Sequence, residues 1–160
     1  AKLSVLVEKF RGVKPPRFPT IFETLANAFA CQQLSLTVGL GLLSRLAGIC
    51  GLRLSEADGI HYAFPRPQDV LKVTPTVFRK LGFSSNKVRA FHELARNIVD
   101  GRINFECLEQ MDNQAVIDSL LEPRGVGRWT ADYVLLLGLA PLNVVPGDDF
   151  GARNRLANWQ

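Results

Sequence analysis

The chain has 160 residues, room for one domain or for one domain and an incomplete second. Hydrophobic residues at 47% and charged residues at 21% exclude a disordered tail, a collagen-like repeat and a coiled-coil rod. Nineteen Lys and Arg against fifteen Asp and Glu give a net charge of +4, which suits a polyanionic partner without establishing one.

Leu3, Leu6, Val7 and Phe10 recur at helical spacing and predict a short amphipathic helix at the start. Lys2, Glu8 and Lys9 interrupt any signal-peptide core. The first residue is Ala1 and not Met, as expected of a processed chain or a piece of a longer one. Pro15-Pro16 then breaks the chain. Between Glu23 and Arg45 lie 21 residues without charge, long enough to span a bilayer. Asn27, Gln32, Gln33, Ser35 and Thr37 fall inside this stretch, and unpaired amides are costly in lipid. It therefore reads as two buried helices, 20–32 and 35–50, joined by a polar turn, with no membrane as partner. Phe22, Leu25, Ala26 and Phe29 form the apolar face of the first. Gly51 ends the second as a glycine just past the helix terminus.

Ser55 is expected to cap a short helix to about residue 62. Pro67 suits a first helical turn, Thr74-Pro75 is a cap followed by a first-turn proline, and Gly82 ends the helix they open. Ser84 or Ser85 caps a helix over 85–100 that stops at Gly101, with Phe91, Leu94, Ala95 and Ile98 on its apolar face. Asp112 caps a helix to about Leu121, and a last helix over 128–140 ends at Pro141. No segment sustains a period of two, so the chain predicts an all-α domain of nine or ten short helices and essentially no sheet. Cys31, Cys50 and Cys107 fit neither a disulfide framework nor a metal knuckle, which points to a reducing, intracellular compartment.

Two stretches carry chemistry. In Leu120-Leu121-Glu122-Pro123-Arg124-Gly125-Val126-Gly127-Arg128-Trp129-Thr130-Ala131 a helix ends, a hairpin turns on two glycines and a second helix begins. Glycine there permits a positive φ and a close backbone approach, and the free amides opening the second helix are a natural seat for a phosphate. An ordinary turn between two helices explains the same residues. The second stretch, Pro141 to Phe150, is an apolar Pro/Gly loop ending in Asp148 and Asp149. Either acid reads as a helix cap, or as a carboxylate held in a pocket to stabilise a developing cation.

The hairpin, followed about 15 residues later by a Pro/Gly loop ending in Asp, resembles the helix-hairpin-helix, Gly/Pro-Asp (HhH-GPD) superfamily of base-excision DNA glycosylases. The details resemble its 3-methyladenine DNA glycosylase II branch. Phe22-Glu23-Thr24-Leu25 with Gln32-Gln33-Leu34-Ser35, Phe64-Pro65, Leu81-Gly82-Phe83-Ser84 and Lys87-Val88-Arg89 are similar to segments of that branch. The match covers roughly residues 18–155 and implies an all-α HhH-GPD fold, a six-helix barrel domain plus a second, truncated helical domain. By it, 19–140 is the core, with the helix-hairpin-helix at about 112–140. Residues 1–18 and 141–160 are parts of the discontinuous, incomplete domain, because only eleven residues follow Asp149.

The resemblance also implies roles. Asp149 is the catalytic acid, stabilising an oxocarbenium-like sugar, and Asp148 keeps the capping role. Bifunctional branches carry a nucleophilic Lys where this chain has Trp129, which implies a monofunctional glycosylase that leaves an abasic site uncut. Trp129 and Tyr133, four residues apart, would hold a flipped, cationic base against their rings, and core packing is the plain alternative. Gln33, with Leu34 beside it, would fill the gap left in the duplex, while Gln32 stays structural; a polar turn satisfying buried backbone explains all three equally. Gly125, Gly127 and Arg128 are the phosphate contacts. Backbone carbonyls of Leu121, Pro123 and Val126 are the expected seat of a Na+ or K+. No cofactor and no iron–sulfur cluster are expected, since no cysteine follows Asp149.

The function implied is excision of alkylated purines such as 3-methyladenine from double-stranded DNA, by a monomer, in the cytoplasm of a bacterium or the nucleus of a eukaryote. The alternatives are a non-catalytic or truncated DNA-binding module, and a glycosylase for hypoxanthine, uracil or an oxidised purine. Residues 79–102 hold six basic side chains against two acidic ones, an excess equal to that of the whole chain. A solvated helix face explains this as well as DNA does.

Overall fold

The computed structural model describes residues 2–141 and 144–157, with the side chains of Lys2 and Leu3 outside the description. Nine α-helices account for most of it: α1 Lys2–Lys9, α2 Ile21–Cys31, α3 Leu36–Cys50, α4 Pro67–Val70, α5 Pro75–Lys80, α6 Ser85–Val99, α7 Asn113–Leu121, α8 Arg128–Val134 and α9 Phe150–Ala157.

Helix α2 is the centre. Thr20 opens it by accepting the amide of Glu23, and every residue from Thr24 to Ala30 is buried. The face predicted for α2 is therefore correct but too narrow, since a helix packed on all sides has no polar side. Helices α3, α6 and α8 pack against it. Beside it, Phe29, Phe78, Phe83 and Phe91 form an aromatic cluster with ring centroids 5.1–5.8 Å apart, mostly edge to face. The caps at Thr74, Ser84 and Asp112 fall as the sequence predicts, each accepting a backbone amide of the helix that follows, and Ser35, read as the first residue of its helix, is in fact its cap. The uncharged stretch resolves into α2 and α3 about the Gln32–Ser35 turn, and among the described residues no helix is long and apolar enough to cross a membrane.

Three expectations need correcting. The segment read as a helix from Ser55 is a two-stranded antiparallel hairpin, β1 Arg53–Glu56 and β2 Gly59–Tyr62, with Glu56 opposite Gly59. Ala57-Asp58 is its two-residue loop, and Gly59, which opens β2, has φ +143°. All eight strand residues are exposed, so no buried face imposed the alternation that marks a strand. Gly51 is extended, with φ −75° and ψ 157°, and is no left-handed terminator. It is glycine because a Cβ there would lie 2.2 Å from the Ala63 carbonyl. The helix over 128–140 stops being regular at Val134: Leu135–Leu139 form a π turn, closed by the Ala140 amide on the Leu135 carbonyl, and Ala140 is left-handed at φ +57°. Gly138 lies against Ile21 in this turn, and the carbonyls of Leu137 and Gly138 hold Phe18 and Arg17. The segment before α2 is thereby tied to the end of α8.

Candidate active site and nucleic-acid interface

Helix α8 carries the aromatic pair. Trp129 and Tyr133 lie one turn apart with ring centroids 5.2 Å apart and planes at 36°. Both rings are half-buried. The Tyr133 hydroxyl donates to Asn27 Oδ1 at 2.8 Å, and burial pushes its pKa up to about 12. The Trp129 indole N–H donates to Asp149 Oδ2 at 2.9 Å. The backbone amide of Ala152 donates to Asp149 Oδ1 at 2.7 Å. That amide first, and the indole second, hold the Asp149 carboxyl below the usual carboxylate range.

The two readings of the acids thus converge on one residue. Asp149, not Asp148, caps α9, while Asp148 is exposed. Capping and a chemical role are compatible here, because a carboxylate has about four lone-pair sites and the cap does not use them all. The cap fixes the carboxylate's direction. Leu142 and Asn143 of the preceding loop lie outside the described residues.

The hairpin sits at the other end of α8. Gly125 is left-handed at φ +87°, and a Cβ there would lie 3.1 Å from Ala90 Cβ on α6. Gly127 differs from the expectation for the pair: φ is −98° and a Cβ would meet nothing within 4 Å. No side chain caps the amides that open α8 there. Arg128 donates through Nε to both carboxylate oxygens of Asp132, at 3.1 and 3.3 Å, which fixes one edge of its guanidinium. Of the carbonyls predicted to hold a cation, that of Pro123 already accepts the Val126 amide at 3.2 Å; those of Leu121 and Val126 lie in the same turn. Among the described residues no cluster of His, Cys, Asp and Glu could hold a metal ion.

The Gln32–Leu34 turn is bound to this hairpin. Gln32 Nε2 donates to Thr130 Oγ1 at 3.0 Å and to the Gly125 carbonyl at 3.3 Å. Gln32 is structural, as expected. Gln33 is left-handed at φ +57°, a region that side chains rarely adopt, and it projects into solvent beside Leu34, which is 44% exposed. Lys87 holds the turn from below, donating through Nζ to the carbonyls of Ala30 and Gln32 at 2.6 and 2.9 Å. Burial lowers its pKa.

Sequence reasoning missed Asn27. It is 2% exposed, accepts from Tyr133, and lines a cavity of about 270 Å³ with Glu23, Leu40, Leu43 and Phe64. An amide inside an otherwise apolar, buried helix was the available signal. Burial raises the pKa of Glu23 in that cavity.

A family model described as HhH-GPD superfamily base excision DNA repair protein matches residues 26–160. The chain belongs to this superfamily. It is 27% identical over 154 residues to DNA-3-methyladenine glycosylase 1 of Schizosaccharomyces pombe, covering 96% of this chain and 64% of that protein. A solved 3-methyladenine DNA-glycosylase from Archaeoglobus fulgidus superposes with a TM-score of 0.83 at 30% identity, over 98% of this chain and 53% of that one. A Clostridium acetobutylicum 8-oxoguanine glycosylase/lyase, solved with double-stranded DNA, superposes with a TM-score of 0.83 at 19% identity, over 99% and 54%. At that identity the likeness is one of fold alone. The HhH-GPD chain described here therefore spans about half to two-thirds of the length of these relatives.

Proposed function

We propose that the chain carries the catalytic half of a monofunctional DNA glycosylase that removes alkylated purines such as 3-methyladenine from duplex DNA. The observation that carries this reading is the Asp149 carboxylate, ionised and aimed by Ala152 and Trp129 beside the stacked Trp129 and Tyr133 rings. The named relatives in S. pombe and A. fulgidus support the lesion class.

In this mechanism the hairpin amides around Gly125 and Gly127, with Arg128, receive a phosphate. The bare surface at Gly127 supports such an approach. Gln33 and Leu34 enter the duplex as the nucleotide swings out. The cationic base stacks on the electron-rich faces of Trp129 and Tyr133, an interaction worth about 0.5–2 kcal/mol, with the cavity beside Asn27 at its edge. The C1′–N bond breaks with its electron pair leaving on the alkylated base, which departs neutral. Asp149 stabilises the positive charge left on the sugar, and water adds to C1′ and gives up a proton. Trp129 supplies no amine, so no covalent intermediate forms with the sugar and the strand stays intact. The carbonyls of Leu121, Pro123 and Val126 would hold a Na+ or K+, which would supply positive charge near the bound phosphate. In this reading residues 1–18 and 141–160 are parts of a second, incomplete domain beside the 19–140 core, to which Phe18 and Arg17 bond at the carbonyls of Leu137 and Gly138.

The test is release of free methylated bases from alkylated duplex DNA, comparing the chain with Asp149→Asn. Asparagine keeps an oxygen for the Ala152 amide and loses the charge. Release that disappears in the variant while binding is retained supports the reading. Binding without release from the unaltered chain would leave a DNA-binding module instead. Release of hypoxanthine, uracil or an oxidised purine in place of methylated bases would change the lesion and keep the chemistry.

A further inference from the structure

The six basic side chains between residues 79 and 102 do not share one fate. Lys87 turns inward to the carbonyls of Ala30 and Gln32. Arg79, Arg89, Arg96 and Arg102 instead converge on one groove between α5 and α6, a cavity of about 500 Å³ to which Glu93 contributes the one carboxylate. All four arginines are exposed. Three donate to neutral acceptors: Arg79 to the Phe83 carbonyl at 2.9 Å, Arg89 to Asn86 Oδ1 at 2.6 Å and, more loosely, Arg102 to Asn97 Oδ1 at 3.5 Å. None of these bonds cancels charge. Among the described residues the one salt bridge made by this set joins Arg102 to Asp100 at 3.1 Å, exposed on both sides and therefore weak. A solvated helix face would scatter its charges; these meet in a concave strip.

The strip shares helix α6 with the site already described, on a different face of that helix. Ala90 on α6 packs against Gly125 of the hairpin, and Lys87 one turn earlier holds the Gln32 turn. Ser85 and Arg89, on those same turns, open the groove. From Ser85 to Asn97 the helix rises about 18 Å at 1.5 Å per residue, so the arginines of the groove are spread along the length of α6. A rigid, extended anion whose charges repeat at short intervals matches that shape, and the phosphate backbone of a duplex is one.

We propose that this groove is a second phosphate-binding surface, which receives the backbone of the duplex flanking the damaged nucleotide, with Arg89 and Arg96 as its principal contacts. The inference rests on the DNA-glycosylase reading above. Its test is binding of two duplexes by fluorescence anisotropy across a salt series, for the chain and for the Arg89→Glu/Arg96→Glu double variant. One duplex is short and centred on an abasic-site analogue; the other is extended by a helical turn on each side. The double variant should lose about tenfold or more in affinity for the extended duplex, and its salt slope should fall by about two, near one for each phosphate contact removed. Binding of the short duplex, and the melting temperature, should not change. Equal affinity and slope on the extended duplex would overturn the groove while leaving the glycosylase reading intact. An unaltered chain that binds neither duplex would overturn both. Poly-glutamate held by the groove in place of DNA would make it a protein-docking surface and overturn the proposal as stated.

Discussion

The acid at the start of α9 and the arginines along α6 are both charged, and they are held in opposite ways. Asp149 has a donor on each oxygen, and the second of these donors, Trp129, is itself stacked on Tyr133, which is bonded to Asn27. The chain of contacts runs unbroken from α9 through α8 into the buried heart of α2. The groove arginines are anchored to carbonyl and amide oxygens on one edge and open to solvent on the other. A group that must meet one atom of a reacting sugar gains from fixed geometry, because misplacement by an ångström is costly. A group that must attract a phosphate backbone gains from charge and reach, and tolerates motion. The difference predicts that substitutions at the site act steeply and locally, while those in the groove act gradually and through salt.

The steepest expected effect falls on the two adjacent acids. Asp149→Asn should lower single-turnover base release by about 10²–10³-fold, the range for removing one preorganised electrostatic stabiliser. Asp148→Asn, at an exposed position that caps nothing, should remain close to the unaltered chain. Equal losses would mean that the loop, not one carboxylate, carries the chemistry, and the contrast between an ordered site and an open groove would fail.

Gly125 joins the two regions, since it touches Ala90 on α6 and its carbonyl accepts from Gln32. Gly125→Ala combines a left-handed backbone with a 3.1 Å approach to Ala90. It should cost about 1–2 kcal/mol and lower the melting temperature on the order of 5 °C. Gly127→Ala meets open space at an ordinary φ and should stay within about 0.5 kcal/mol. If Gly127→Ala nonetheless weakens DNA binding, its bareness serves the partner and not the fold. Paired thermal melts and binding curves separate these outcomes.

How much of this was legible beforehand follows from where the information lies. Caps are local, so Thr74, Ser84 and Asp112 could be read one helix at a time. The stacking of Trp129 on Tyr133 follows from their spacing alone. The hairpin at 53–62 failed because its burial pattern is blank and its loop is two residues long. Which acid caps α9 depends on where the amide of Ala152 points, and which glycine is strained depends on Ala90, 35 residues away in the chain. Asn27 could be noticed as odd, yet its partner is 106 residues distant. Geometry set by local sequence was visible; geometry set by packing was not.

The smallest expected effect isolates a single bond of the site. Trp129→Phe removes the indole donor from Asp149 while the Ala152 amide remains. A carboxyl whose pKa is lowered in the folded state adds stability above its unfolded pKa, near 3.9 for aspartate, and that stability is lost as the pH falls through the folded value. In Trp129→Phe the folded pKa returns toward the ordinary one, so the variant has less of this stability to lose. The variant also forfeits ring packing, but that loss does not depend on pH. The difference in melting temperature between the two chains should therefore be flat above about pH 5 and should narrow on further acidification. The acid limb of base release should move upward in the variant, because the indole no longer favours the ionised carboxylate. A melting difference that stays constant down to the lowest pH would mean that the indole positions the carboxylate without sharing its charge.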